Sequence, residues 1–204
     1  MMDVIEAIKT RRSIRKYQSR PVDDANLNIV LEAARLAPSW KNNQCWRFVV
    51  VRDVVIKSRL ADTLISMSPV SRTAVAIKQA PVLIVACAEI GKSGYDYRQP
   101  DKPRTDKGVW WYMFDIGVAM QNLVLAARAL GLGTVHIGEF DAGKAAEILH
   151  VPSGFCVVAM TPLGYPDEQP EAKPRKELSE IVFCDDFGAN LPKSHVSLSQ
   201  TGIL

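Results

Sequence analysis

Cysteine and histidine are sparse in this chain, with 4 and 3 respectively in 204 residues. Cys45, Cys87, Cys156 and Cys184 are widely spaced and form no CxxC pair or Cys/His ligand pattern. That argues against a zinc ribbon and a disulfide scaffold, and suits a reducing cytoplasm. His136, His150 and His195 stand alone, so neither a metal centre nor a Ser/His/Asp order is expected. Also missing are GxGxxG after a strand, GxxxxGK[ST], GxSxG and HExxH. A nucleotide, if one binds, is therefore not held by a Rossmann turn or a P-loop. The start, MMDVIEAIKTRR, has early acids and no apolar h-region, which argues against a signal peptide. A net charge of +3 is too small to argue for a nucleic-acid partner.

What the chain does have is one long apolar stretch, GVWWYMFDIGVAMQNLVLAARALGLG, from Gly108 to Gly133, with no Pro in it. Ala, Leu and Met give its second half high helix propensity. Its polar residues are Asp115, Gln121, Asn122 and Arg128. At about 100° per residue Asp115 and Asn122 share one line and Gln121 and Arg128 another. No broad polar face is left, which predicts a central helix enclosed by protein on nearly all sides. Gly131 and Gly133 supply its αL stop. Four polar residues, one of them Arg, argue against a membrane span of this length.

Around that helix the pattern alternates. Asp3 and Glu6 read as a capping box that opens a helix through Thr10, with Val4, Ile5 and Ile8 inward. Asp23 and Asp24 open a second, with Leu27, Val30, Leu31 and Ala34 at helical spacing and Pro38 marking its end. Ser39–Gln44 is loop and Trp46–Val51 a strand. Asp53–Leu64 and Thr73–Gln79 read as helical, and Pro81–Ala88 as a buried strand. The polar segment Glu89–Lys107 has the length of a lid or binding loop. Thr134–Ile137 is a short strand, Asp141 opens a helix with Ala145, Ile148 and Leu149 inward, and Phe155–Leu163 is a third apolar strand. Past Tyr165-Pro166 the chain turns Pro- and charge-rich; Ile181–Phe183 could add a strand, and Ser194–Leu204 reads as a mobile end. The expected architecture is α+β, one domain over residues 1–190 with three to five strands flanked by helices, and a tail over 191–204. Leu178, Ile181, Val182 and Phe183 are too apolar to hang in water and suit a partner subunit.

Two stretches could carry chemistry. Arg11, Arg12, Ser13 and Arg15 put three guanidinium groups and a hydroxyl at the end of the first helix, and guanidinium forks match phosphate oxygens bidentately. The same run can also be a solvated basic helix end. The loop APSWKNNQCW, from Ala37 to Trp46, can address the edge of a heterocycle with fixed donors and acceptors, or simply link helix to strand. Cys45 within it reads either as a redox thiol or, with no neighbouring His to lower its pKa, as a small buried residue.

RRSIRKY, APSWKNNQCWRFVVV, DIGVAMQNLVLAARALGLGTVHIGEFD, PLGYP and KPRKEL, in this order and spacing, resemble the FMN-dependent nitroreductase family from about Val4 to Val182. The resemblance implies a nitroreductase-like fold: a central mixed β-sheet flanked by helices, with the long central helix at a homodimer interface. It implies that Arg11 and Ser13, with Arg12 beside them, bind the FMN phosphate, and that Arg15 lies near flavin N1 and O2. A cation there would favour the reduced, anionic flavin. It further implies that Pro38, Ser39, Trp40, Asn42 and Gln44 lie along the flavin, partly from the second subunit. Ile137, Gly138 and Glu139 would approach N5 and O4 through their backbone, and Lys173, Arg175 and Lys176 would close over the phosphate. The chain departs from the family pattern at Cys45, where Pro is usual, and at Trp40, where a second Ser is frequent.

The activity this resemblance implies is ping-pong hydride transfer, from NAD(P)H to FMN and then to nitroaromatics, quinones or similar acceptors, with no catalytic side chain required. Tyr95, Tyr97, Trp110, Trp111 and Tyr112 could line the acceptor pocket. The same scaffold would also suit an enzyme that uses reduced FMN in flavin breakdown or reductive dehalogenation, or a non-catalytic FMN-binding protein. The implied partners are a second copy of the chain and a small-molecule acceptor, with no nucleic acid, membrane or metal.

Overall fold

Short polar side chains fix where the helices begin. Asp3 accepts a hydrogen bond from the Glu6 amide and opens α1 (Val4–Thr10). Asp23 does the same for α2 (Asp24–Arg35) through the Asn26 amide. Trp46–Val51 follows as β1. Asp53 then caps α3 (Val54–Ala61), and Ser71 caps α4 (Arg72–Gln79) through Ala74. Each such cap satisfies one of the amides that a first turn leaves unpaired, worth about 1 kcal/mol. The computed structural model describes residues 2–65, 70–96 and 98–189. Tyr97 and the Ser194–Leu204 tail lie outside the described residues. Two compact units divide the chain, Met1–Pro170 and Glu171–Leu204.

In the first unit, β2 (Val82–Glu89) is followed by a small hairpin of β3 (Tyr95–Asp96) and β4 (Gln99–Pro103). The polar segment read as a loop thus carries its own strands. A turn of 3₁₀ helix at Gly108–Trp110 leads into α5 (Trp111–Ala129). Then come β5 (Gly133–Thr134), α6 (Ala142–Leu149), capped by Asp141, and β6 (Phe155–Gly164). The sheet order is β1-β2-β6-β5, and these neighbours all pair antiparallel. The parallel contact is a single bridge from Ser13 to Thr134. The short strand expected to run to Ile137 is β5 plus an isolated bridge from Ile137 to Met160.

β2 shows why its sequence is an unbroken apolar run. Val82, Ile84, Ala86 and Ala88 face one core, shared with Leu27, Val30 and Ala34 of α2 and Leu123 and Ala127 of α5. Leu83, Val85 and Cys87 face a second core with Leu60, Ile77 and Ala145. A strand covered on both faces has no polar alternation to show.

Three expectations fail in instructive ways. Val4, Ile5 and Ile8 are exposed, and Ala7 is the buried residue of α1. The central helix is not enclosed on nearly all sides within one chain. Trp110 and Phe114 are 66% and 65% exposed, and with Met113 and Gly117 they form an open stripe at i, i+3, i+4, i+7 spacing. Of its two stop glycines only Gly131 is left-handed, at φ +75°. Gly133 is needed instead because a Cβ there would come within 2.8 Å of the Ile14 side chain.

In the second unit, Leu178–Ile181 forms the short helix α7, where a strand over Ile181–Phe183 was expected. The Glu177 amide donates to Glu180 Oε2 at 2.8 Å, a reciprocal capping box that sets the helical turn. Phe183 and Phe187 stack with ring centres 4.8 Å apart. Among the described residues no helix is long and apolar enough to cross a membrane.

Candidate functional site

The basic run leaves α1 in extended conformation and pairs with the chain at β5. Arg11 ends the helix. Ser13 bridges Thr134, and the Ile14 amide donates to the Thr134 carbonyl at 2.9 Å. Ile14 and Tyr17 are buried, and the Tyr17 hydroxyl donates to the Ile14 carbonyl at 2.7 Å. These two anchors hold the intervening residues at the surface. The Arg15 amide donates to Glu168 Oε1 at 2.6 Å, while the other oxygen of Glu168 pairs with Arg72.

Next to this run lies the segment Thr134–Glu139. His136 Nδ1 stands 2.9 Å from Thr161 Oγ1. Atoms packed around its ring, and then the Arg11 guanidinium, hold the imidazole below its ordinary value of 6.5 even though one edge meets solvent. Ile137 is buried and tied to Met160, while Gly138 and Glu139 are exposed. A Cβ at Gly138 would meet no heavy atom within 4 Å. The chain's own packing therefore does not demand glycine there, and the space over its backbone is open.

Between these elements is a cleft of about 640 Å³ lined by Arg11, Arg12 and Ile14, by Thr134, by Asp167 and Glu168, and by Arg128 from the last turn of α5. Arg128 attracted no functional reading from the sequence, where it is one polar residue in an apolar helix. Spacing alone could not have placed it, because the Thr10 side chain it bonds lies 118 positions away.

The polar loop is elsewhere. Trp40–Asn42 forms a 3₁₀ turn, and Lys41, Asn42 and Gln44 have positive φ, at 46°, 56° and 49°. Non-glycine residues in that region cost on the order of 1 kcal/mol or more each and persist only where surroundings impose them. The imposing group is Asp115, a carboxylate on α5 that is 1% exposed. It accepts from the Trp40 amide at 3.1 and 3.2 Å and from the Ser93 hydroxyl. Ser39 Oγ accepts from the Gln44 amide at 2.9 Å. Trp40 Nε1 donates to the Tyr95 carbonyl at 2.9 Å, and its ring meets the Trp111 ring edge-on at 4.9 Å. Cys45 is fully buried behind the loop and its pKa is pushed up, chiefly by burial.

The structure therefore gathers the candidate residues into two groups. Arg11 and Arg12 lie by the C-terminal end of α5, in the cleft with Arg128; Ser13 bridges Thr134 just beyond that end, Arg15 is held by Glu168, and Ile137, with Gly138 and Glu139 after it, is tied to Met160 of β6. Pro38, Ser39, Trp40, Asn42 and Gln44, with Tyr95 and Trp111, lie at the N-terminal end of α5. Asp115 and Arg128 mark the two ends, thirteen residues apart on α5, or about 20 Å of helix at ~1.5 Å per residue. Trp110 points into solvent and Tyr112 packs against the core, its phenol pushed up to about 12 by burial and by Cys156. These two do not join Tyr95 and Trp111. Lys173, Arg175 and Lys176 belong to the second unit, where the Arg175 guanidinium donates to the Lys173 and Pro174 carbonyls. No cluster of metal ligands occurs among the described residues.

An α+β scaffold of this topology carries a basic cleft at one end of its central helix and a strained polar loop at the other. Residues 8–165 match the Nitroreductase family, and the chain belongs to it. A Methanothermobacter thermautotrophicus relative, provisionally named an NADH dehydrogenase/NAD(P)H nitroreductase, is 34% identical over 173 residues, covering 83% of this chain and 80% of its own. The FMN reductase [NAD(P)H] of Bacillus subtilis is 29% identical over 183 residues, covering 86% and 70%. The crystal structure of a nitroreductase family protein from Clostridium novyi superposes with a TM-score of 0.71 at 31% identity, over 93% of this chain and 97% of that one.

Proposed function

We propose that this protein is an FMN-dependent NAD(P)H oxidoreductase that works as a homodimer and reduces nitroaromatics, quinones or similar electron-poor acceptors. The observation that carries this reading is the cleft lined by Arg11 and Arg12, beside Ser13, which bridges Thr134, four positions before the open backbone at Gly138. A phosphate monoester suits the arginine forks, and a flat heterocycle suits a backbone that no side chain covers. This donor set fits FMN. Its naming in relatives such as an FMN reductase supports the same reading.

Bound there, FMN would supply the redox chemistry, accepting a hydride from NAD(P)H and passing it to the acceptor in a ping-pong cycle. The chain's own residues bind and orient. Arg11, Arg12 and Ser13 hold the phosphate. Arg15 places a positive charge beside the flavin edge that becomes negative on reduction. Pro38, Ser39, Trp40, Asn42 and Gln44 reach the ring from the partner subunit, since within one chain they stand at the far end of α5. The open stripe of Trp110, Met113 and Phe114, with Val4, Ile5 and Ile8, supports a second copy as the cover for these faces.

The test is the visible absorption spectrum of the purified protein, followed anaerobically as NADPH and then NADH are added. A flavin band that bleaches and returns with a nitroaromatic or quinone is the expected result and identifies the donor. A band that never bleaches would overturn the catalytic reading, and a colourless protein that takes up no added FMN would overturn the cofactor.

A further inference from the structure

We infer that Arg128 is a further phosphate-binding residue of this cleft and adds to its preference for the phosphorylated flavin over riboflavin. The inference rests on the FMN reading above. Arg128 lies in the last turn of α5 and lines the cleft with Arg11 and Arg12. Its Nε donates to Thr10 Oγ1 at 2.9 Å. The Thr10 hydroxyl spends its own proton on the Glu6 carbonyl at 2.7 Å, so it is committed as an acceptor toward the arginine. With Nε fixed, the two terminal amino groups make no other hydrogen bond among the described residues. A cation here also offsets the helix dipole, but that would not require the guanidinium to be pinned by a neighbouring helix.

Charge bookkeeping supports an anion as the missing partner. Arg11, Arg12 and Arg128 form no ion pair among the described residues, although Asp167 and Glu168 line the same cleft. Those two carboxylates are already engaged: Asp167 pairs with Lys16 at 2.7 Å, and Glu168 with Arg72. Three arginines line this one cleft, Arg12 also donating to the Lys9 and Arg11 carbonyls, and a dianionic phosphate offsets their like charge while accepting hydrogen bonds.

The experiment titrates the full-length apoprotein with FMN and, separately, with riboflavin, reading flavin fluorescence. In wild type FMN should bind more tightly than riboflavin. Arg128→Ala should weaken FMN about tenfold or more, as for loss of a charge-assisted hydrogen bond, and leave riboflavin unchanged. Thr10→Val, which removes the acceptor but keeps the arginine, should move FMN in the same direction by less, and provides the test if the alanine variant does not fold. An Arg128→Ala protein that keeps the wild-type FMN affinity, or loses FMN and riboflavin in parallel, overturns the assignment alone. A wild-type protein that binds neither flavin overturns the cofactor reading and this inference with it.

Discussion

Replacing Asp115 should loosen the polar loop far more than its size suggests. The carboxylate is buried and serves two donors, the Trp40 amide and the Ser93 hydroxyl, with the Cys45 thiol 4.0 Å away. In Asp115→Ala both donors lose their acceptor inside the protein, and a hydrogen bond to a charged group is worth roughly 1.5–3 kcal/mol. Desolvation of the carboxylate itself offsets part of that sum, leaving a net loss of about 3 kcal/mol. For a chain of this size each kcal/mol lowers Tm by about 2–4 °C, so the apoprotein should melt roughly 6–12 °C lower. Asp115→Asn keeps one acceptor oxygen for Trp40, and the Ser93 hydroxyl can turn to accept from the new amide. It should cost only about 1 kcal/mol. Calorimetry on both variants, with near-ultraviolet circular dichroism to follow the Trp40–Trp111 pair, checks the ranking. An alanine variant melting with wild type, or no more damaging than asparagine, would refute the idea that the strained loop hangs on this carboxylate.

Phe114→Glu should convert a dimer to monomers in sedimentation and release FMN, while the separate chain stays folded, because the side chain is exposed within one copy; a dimer that survives would place the interface elsewhere. Gly138→Ala should weaken FMN uptake yet shift the stability of the apoprotein by no more than about 0.5 kcal/mol, since the added Cβ meets no heavy atom within 4 Å. The Arg11 guanidinium helps keep His136 below 6.5, second to the packing around its ring. Arg11→Ala should therefore raise the His136 pKa part of the way back in an NMR titration, and no rise would mean that Arg11 does not face the ring. The sign for stability follows: with the folded value depressed, the unfolded chain takes the proton first, so the contribution is complete above about 6.5 and fades as pH falls.

Local rules located most of the fold. The boundaries at Asp23, Asp53 and Asp141 were legible because a capping carboxylate acts within three residues, and Trp46–Val51 because β-branched and aromatic residues fill it. The inward direction assigned to Val4, Ile5 and Ile8 failed for a different reason. Apolarity says that a face avoids water, not which molecule covers it. The same limit applies to α5, whose sequence predicts full enclosure and whose single chain leaves Phe114 and Trp110 open. The candidate site was legible only as pieces, since RRSIRKY and the Gly138 segment carry the chemistry proposed for them in their own residues. Its assembly was not, because Asp115 and Arg128 act through partners 75 and 118 positions away. Nor could apolar content at Ile181–Phe183 compete with the Glu177/Glu180 cap that makes the preceding residues helical.

The length of α5 has a genetic consequence. If the chain works as the homodimer proposed above, each centre would draw its basic end from one polypeptide and its polar loop from the other. A lesion at Arg11 and a lesion at Ser39 then disable different halves. When two such inactive chains are co-expressed, the mixed species gathers both lesions into one centre and leaves the other whole. Two null alleles should therefore complement each other, whereas two alleles damaged at the same end of the helix should not.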